Sequence, residues 1–296
     1  MEASICIVSR NRKDELYKTL QILQHNTDYK KHEILVFLDG CNDGSLKLLD
    51  HFPKVNWEIG EYRIGASPAR KKLFSKAKGK FIFGFDDDAH PLQEDFINKA
   101  LGLFIKEPNL AVISFEEIKG IFKSDAEAMN HRIKDVCYYC NSFVGCGFVI
   151  RNSAYQKISG FPNWMDIYGE EGCVSIQLID KGYDILYTSV ISVNHRVDRN
   201  KRKQDGNNAF RFERQLCNMG LYFLIYYPIQ LIPKKLLKLF AHNFIKYGIK
   251  DPQFFKGYFK GLLIFSKKLP KAFLNRQQVS LKAIERINKL PHPKYG

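Results

Sequence analysis

Residues Lys80 to His90 read Lys-Phe-Ile-Phe-Gly-Phe-Asp-Asp-Asp-Ala-His, an apolar run from Phe81 to Phe85 that ends in three consecutive carboxylates, Asp86, Asp87 and Asp88. Like charges packed so closely repel unless a cation or a solvated turn relieves them. A hard divalent cation shared with a substrate phosphate satisfies such a set. Carboxylates at the carboxyl end of a parallel strand also lie where open α/β sheets bind ligands. The structural alternative is a turn in which Asp88 caps a helix following Pro91. A second acidic pair, Glu170-Glu171, offers either a proton acceptor or a solvated helix start, where acids are favourable. His195 follows a strand-like run, and a lone histidine is more often structural than a ligand.

The seven cysteines sit mostly in apolar runs, and Cys6, Cys41 and Cys217 read as small core residues. Cys137 and Cys140 have C-x-x-C spacing, but no second pair completes a zinc site. This usage fits a reducing cytoplasm better than a disulfide scaffold. Met1 to Ser4 lead straight into the strand-like run Ile5–Val8, so no secretory leader is expected.

The elements that must position these groups alternate. Strands are expected at 4–9, 33–38, 57–62, 80–85, 110–115, 142–151 and 183–189, and helices at 14–24, 45–51, 67–78, 92–104 and 173–181. Ser67 is the expected cap of its helix, with Pro68 in the first turn. This order predicts an α/β fold with a parallel sheet and helices on both faces.

Charge divides the 296 residues unevenly. From Arg199 to Gly296 there are 21 Lys and Arg against 4 acids, a net +17, whereas the first 198 residues carry −2. Such asymmetry implies a separate surface for an anionic partner. The run Leu216–Ile232 is aromatic and nearly uncharged, but short and broken by Pro228, so it falls below a membrane span. Residues 234–247 and 252–268 read as basic amphipathic helices. Residues 269–296 read as a polar basic tail, part helix over 279–290 and part disordered.

Taken together, six segments resemble family 2 glycosyltransferases of the GT-A fold. They are Ile7–Arg12, the strand and loop Ile34–Ser45, Arg63–Arg70 (similar to an N-x-G-x-x-x-A-R motif), Asp86–Asp88 at the D-x-D position, and Gly145–Gly160 followed by Phe161–Glu171. In the second, Leu38 replaces one acid of the usual doublet; in the third, Arg63 replaces the usual Asn; in the last, Glu171 replaces the usual Asp. The match covers about residues 3–200, and the basic remainder resembles bacterial relatives that build surface polysaccharides.

The resemblance implies a GT-A domain over 1–208 and a basic helical region over 209–296 that contacts a membrane surface or acceptor. It implies Mn²⁺ or Mg²⁺ held by Asp88, with Asp86 and His195. Ser9, Arg10, Asn11, Asp39, Arg70, Asp86 and Asp87 would hold the nucleotide, with Asp87 either in contact or simply solvated. Glu171, or else Glu170, would be the base of an inverting transfer. Gly145, Trp164 and Tyr168 would face the acceptor or sugar, the alternative for the two aromatics being core packing under the loop. Arg196, Arg199 and Arg202 would clamp phosphates. The expected partners are a nucleotide-diphosphate sugar, a glycan or lipid-linked acceptor and an anionic membrane surface, with no nucleic acid. The expected location is the cytoplasmic face of the cell membrane. Two other readings stay open on the residues: an inactive scaffold of the same fold, and a nucleic-acid-binding protein acting through the basic region.

Overall fold

Strands β1 (Ala3–Ser9) and β2 (His32–Asp39) are buried along almost their whole length, as strands covered on both faces must be. They come from a computed structural model that describes residues 1–134, 136–197 and 208–296. Helix α1 (Lys13–His25) joins them and buries Leu16, Leu20 and Leu23, one face of its turns. A 3-10 turn at Ser45–Lys47 and the single turn α2 (Leu48–His51) lead to β3 (Asn56–Gly60). Then follow α3 (Ala66–Phe74), β4 (Phe81–Asp86), β5 (Ala89–Pro91), α4 (Phe96–Lys106) and β6 (Leu110–Lys119). The next elements are α5 (Asp125–Met129), β7 (Cys137–Tyr139), β8 (Gly147–Arg151), α6 (Asn152–Tyr155), α7 (Glu170–Asp180) and β9 (Asp184–His195). Last come α8 (Asn208–Tyr226), α9 (Ile232–Asn243), α10 (Pro252–Leu274) and α11 (Leu281–Lys289).

The sheet runs β3-β2-β1-β4-β8-β6-β9-β5, with β7 added on β9. The four strands from β3 to β4 are parallel, as the alternating sequence implies. The second half departs from that pattern, because β8 enters antiparallel between β4 and β6. Strand β9 returns parallel to β6, and β5 and β7 pair antiparallel with β9. Alternation along β1 and β2 sends Ile5, Ile7, Ile34 and Val36 into one core cluster and Cys6, Leu35 and Phe37 into the other. The two faces of the sheet are therefore both covered.

Five sequence expectations need correction. Helix α3 starts one residue earlier than expected, capped by Gly65 at φ +98°, so Ser67 lies inside it and donates its hydroxyl to Pro162 O at 2.7 Å. Helix α4 starts at Phe96 because Leu92 still donates to Ser192 O at 2.9 Å, which removes Asp88 as its cap. The strand expected from 142 begins only at Gly147. The basic C-terminal region is not a separate appendage: Cys217, Leu221, Ile225, Tyr226 and Phe265, and from the tail Ala272, Val279, Ala283 and Ile284, belong to the same buried cluster as α3 and α7. All seven cysteines are free thiols; Cys6 and Cys217 are buried, but Cys41 is only half-buried and receives the Asn11 N–H through its sulfur at 3.4 Å.

Candidate active site

The acidic trio sits in the turn between β4 and β5, at the carboxyl end of the parallel strands. Asp86 ends β4 and stays half-exposed, whereas Asp87 and Asp88 are buried, so the expectation of a solvated Asp87 is wrong. Asp87 accepts from Ser9 Oγ at 2.7 Å and from Arg12 at 2.9 Å, while its backbone carbonyl accepts from Thr19 Oγ1 at 2.8 Å. Burial pushes its carboxyl up to about 7, with Arg12 opposing and Asp88 adding to the rise.

Asp88 pairs with Arg12 through one oxygen. Its other oxygen, Oδ1, is buried without a well-aligned hydrogen bond and faces His195 Nε2 at 3.3 Å. Burial alone would raise Asp88; His195 and Arg12 outweigh it and hold the carboxyl well below the usual range. Burial likewise would lower His195, but Asp88, Cys146 and Glu117 together push it up to about 12. Nδ1 of His195 lies 2.5 Å from Glu117 Oε1, which fixes the ring's orientation. Ligand atoms of Asp86, Asp88 and His195 fall within 4.8 Å of one another, and so do those of Glu117, Cys146 and His195. Two carboxylates and an imidazole, one oxygen of them orphaned, suit a divalent cation.

On the other side of Arg70 from the trio, α7 begins with Glu170 and Glu171. Two left-handed residues aim it there, Tyr168 at φ +71° and Gly169 at φ +106°. Asn218 of α8 holds that turn, donating to Ile167 O at 2.8 Å and Tyr168 O at 3.1 Å. Arg70 ties the halves together: it meets Asp86 at 2.5 Å, Glu171 at 3.3 Å, Glu170 at 3.4 Å and Gly145 O at 3.0 Å. It is buried over Phe148 and Phe161, so it is no surface cation. Glu170 is buried, with Oε2 unpartnered, whereas the Glu171 side chain keeps 21% exposure. Burial raises both acids; Glu171's charge pushes Glu170 further up, and Arg70 opposes the rise. Gly145 makes room: a Cβ there would overlap Glu171 Oε1.

The nucleotide-side residues divide. Asn11, left-handed at φ +51°, accepts from Asn42 N at 2.8 Å and so ties the first turn to the loop after β2. Arg10 is exposed. Asp39 is buried and gives its carboxylate to the Ile64 and Gly65 amides at 2.6 and 3.0 Å, so it shapes the neighbouring loop rather than standing free. On the acceptor side, Trp164 is a core residue at 5% exposure, which corrects the expectation of a sugar platform there. Tyr168 Oη accepts from Arg211 at 3.0 Å. Arg196 is taken up by Glu15 at 2.6 Å and Thr19 at 2.6 Å; Arg199 and Arg202 lie outside the described residues.

Glu117 is the site residue that no motif singles out; Arg12 closes the Ile7–Arg12 segment, yet no role at the acidic trio is expected of it there. The clue for Glu117 was available, because Glu116-Glu117 interrupts the apolar strand Leu110–Lys119 just as the aspartates end β4.

The profile of "Glycosyl transferase family 2" matches residues 4–159, more than half of the chain. A curated Bacillus subtilis (strain 168) protein, the uncharacterized glycosyltransferase YfnE, is 29% identical over 116 residues, which span 38% of this chain and 29% of that protein. Among solved structures, the mannosyltransferase PcManGT of Pyrobaculum calidifontis, in complex with GDP-Man and Mn²⁺, superposes with a TM-score of 0.59 at 14% identity, covering 92% of this chain and 78% of that one. S. aureus TarS 1-349 in complex with UDP-GlcNAc gives 0.59 at 14% identity, covering 97% and 89%. GalNAc-T7 with UDP, GalNAc and Mn²⁺ gives 0.61 at 15% identity, covering 92% and 57%. At these identities the structures share the fold.

Proposed function

Because the chain belongs to glycosyl transferase family 2 and is a glycosyltransferase of GT-A fold, we propose that it moves a sugar, with inversion, from a nucleoside-diphosphate donor to a glycan or lipid-linked acceptor. The observation that supports this most is the facing arrangement of an Asp86–Asp88–His195 cluster and the Glu170–Glu171 pair, joined by one buried arginine. Asp88, Asp86 and His195 would hold Mg²⁺ or Mn²⁺, with Glu117 orienting His195. A bound divalent ion would supply Lewis-acid neutralisation of the leaving diphosphate. The chain's own part is orientation and proton transfer. Ser9, Asn11 and the loop that Asp39 braces would seat the nucleoside.

Glu171, the more open of the pair, would accept the acceptor hydroxyl proton as that oxygen bonds to the anomeric carbon and the carbon–phosphate oxygen bond breaks. Burial raises its proton affinity, which makes it a stronger base than an exposed carboxylate. A single displacement of this kind inverts the anomeric centre. Arg70 would keep Glu171 in place and ionised.

Residues 1–208 would carry the transfer chemistry and residues 209–296 the contact with a membrane surface or with the acceptor. Among the described residues no helix is long and apolar enough to cross a bilayer. Residues 232–274 hold ten lysines against one acid. Phe255, Phe259 and Leu263, spaced one helical turn apart on α10, are exposed, as are Leu237 and Ile245. Apolar insertion and attraction to anionic lipid would act together there, on a cytoplasmic leaflet.

Thermal-shift measurements with UDP, GDP, CDP and dTDP, each with and without Mn²⁺, test the donor reading. One base should raise the melting temperature, and only with metal, by mass action. No shift with any pair would sink it.

A further inference from the structure

The segment 291–296, Pro-His-Pro-Lys-Tyr-Gly, runs from Asn141 and Tyr138 to Glu117 at the edge of the candidate site. Its two prolines stiffen it, and Pro293 is buried. Asn141 fixes its beginning, donating its backbone N–H to Pro291 O at 3.0 Å and its side-chain amide to Leu290 O at 3.1 Å. Tyr138 Oη donates to His292 O at 3.0 Å. At the far end, Gly296 N donates to Glu117 Oε2 at 3.2 Å and Lys119 Nζ donates to Gly296 O at 3.0 Å. Glu117 is the residue that orients His195, so this strap ends against the candidate metal site. The approach is close, because a Cβ on Gly296 would overlap the Glu117 carbonyl oxygen.

Tyr295 stands between those anchors. Its side chain is 61% exposed. Burial first, then the charges of Glu171 and Glu117, push its phenol up. Glu117 clusters with Cys146, and the neighbouring Gly145 abuts the Glu171 carboxylate, so the end of the strap lies close to both acids. An open aromatic ring on a tethered backbone, beside a proton acceptor, offers the flat apolar surface on which a pyranose face packs. We propose that Tyr295 is an acceptor-binding residue: its ring is the platform for the acceptor sugar, and residues 291–296 are the strap that holds it beside Glu171. This rests on the glycosyl-transfer reading above and takes up the role that the buried Trp164 does not fill.

Saturation-transfer NMR on the full chain, loaded with Mg²⁺ and the nucleoside diphosphate that stabilises it, tests the proposal. The probes are methyl glycosides of glucose, galactose and N-acetylglucosamine at millimolar concentration. The wild type should pass saturation to sugar ring protons. Tyr295→Ala should cut that signal about threefold to tenfold, and Tyr295→Phe should keep it, since stacking needs the ring and not the hydroxyl. Calorimetric affinity for the nucleoside diphosphate should be equal in all three. Equal glycoside signal from the wild type and Tyr295→Ala, or a loss in Tyr295→Phe as large as in Tyr295→Ala, overturns the platform. A wild type that binds the diphosphate but no glycoside overturns it too, and leaves the donor site standing. If no nucleoside diphosphate binds, the same measurement runs on the unloaded chain, and glycoside binding there that depends on Tyr295 upholds the platform and overturns the donor reading instead.

Discussion

Single side chains carry the sharpest expectations. Asp88 offers a buried orphan oxygen toward His195. Asp88→Ala should therefore abolish the metal-dependent part of nucleoside-diphosphate affinity, read by calorimetry with and without Mn²⁺; unchanged affinity would take Asp88 out of metal binding. Glu171→Gln should leave donor affinity intact and lower transfer about a hundredfold to ten-thousandfold, the range for a lost general base. The pH profile follows from the same carboxylate. Glu171 must be ionised to act, and burial raises its proton affinity, so kcat/KM should fall on the acid side at a pH above the ordinary carboxylate range. Arg70 opposes that rise, so Arg70→Gln should move the acid limb to still higher pH. Arg70→Met should also cost about 3–5 kcal/mol in chemical denaturation, because it strands buried acids without their partner.

At the scale of elements, the geometry depends on turns that admit few residues. Gly145 leaves space that the Glu171 carboxylate fills, so Gly145→Ala should spare nucleoside-diphosphate binding and depress transfer, a split visible by comparing calorimetry with turnover. Much of this was legible in the chain. The trio, the Glu pair and the strands before them announce themselves locally, through apolar runs ending in charge. What was not legible depends on distant pairings. Nothing near Asp87 in sequence says that Ser9 and Arg12 bury it, and nothing near Trp164 decides between a sugar platform and the core that its ring joins. Strand β8 looked like any apolar run, and only its neighbours make it antiparallel. Family resemblance supplied the roles of Asp88 and Glu171; it had no counterpart for Glu117 or for the strap.

For the molecule as a whole, the basic helices are part of the core that supports the site. Deleting residues 234–296 would expose Tyr226, Cys173 and their neighbours, so lipid attachment is better tested with the chain intact. The pair Leu237→Glu with Leu263→Glu should lower flotation with phosphatidylserine vesicles about tenfold or more, and leave the melting temperature near that of the wild type, since both residues are largely exposed. Undiminished flotation would place the lipid contact elsewhere. One consequence follows from Asn218, the α8 side chain that grips the backbone at Ile167 and Tyr168. The perch of the Glu170–Glu171 pair is held from outside its own segment. Chimeras that exchange only residues 160–171 between relatives would inherit a loop without its clasp, so altering what the enzyme accepts calls for transplanting helix and loop as one piece.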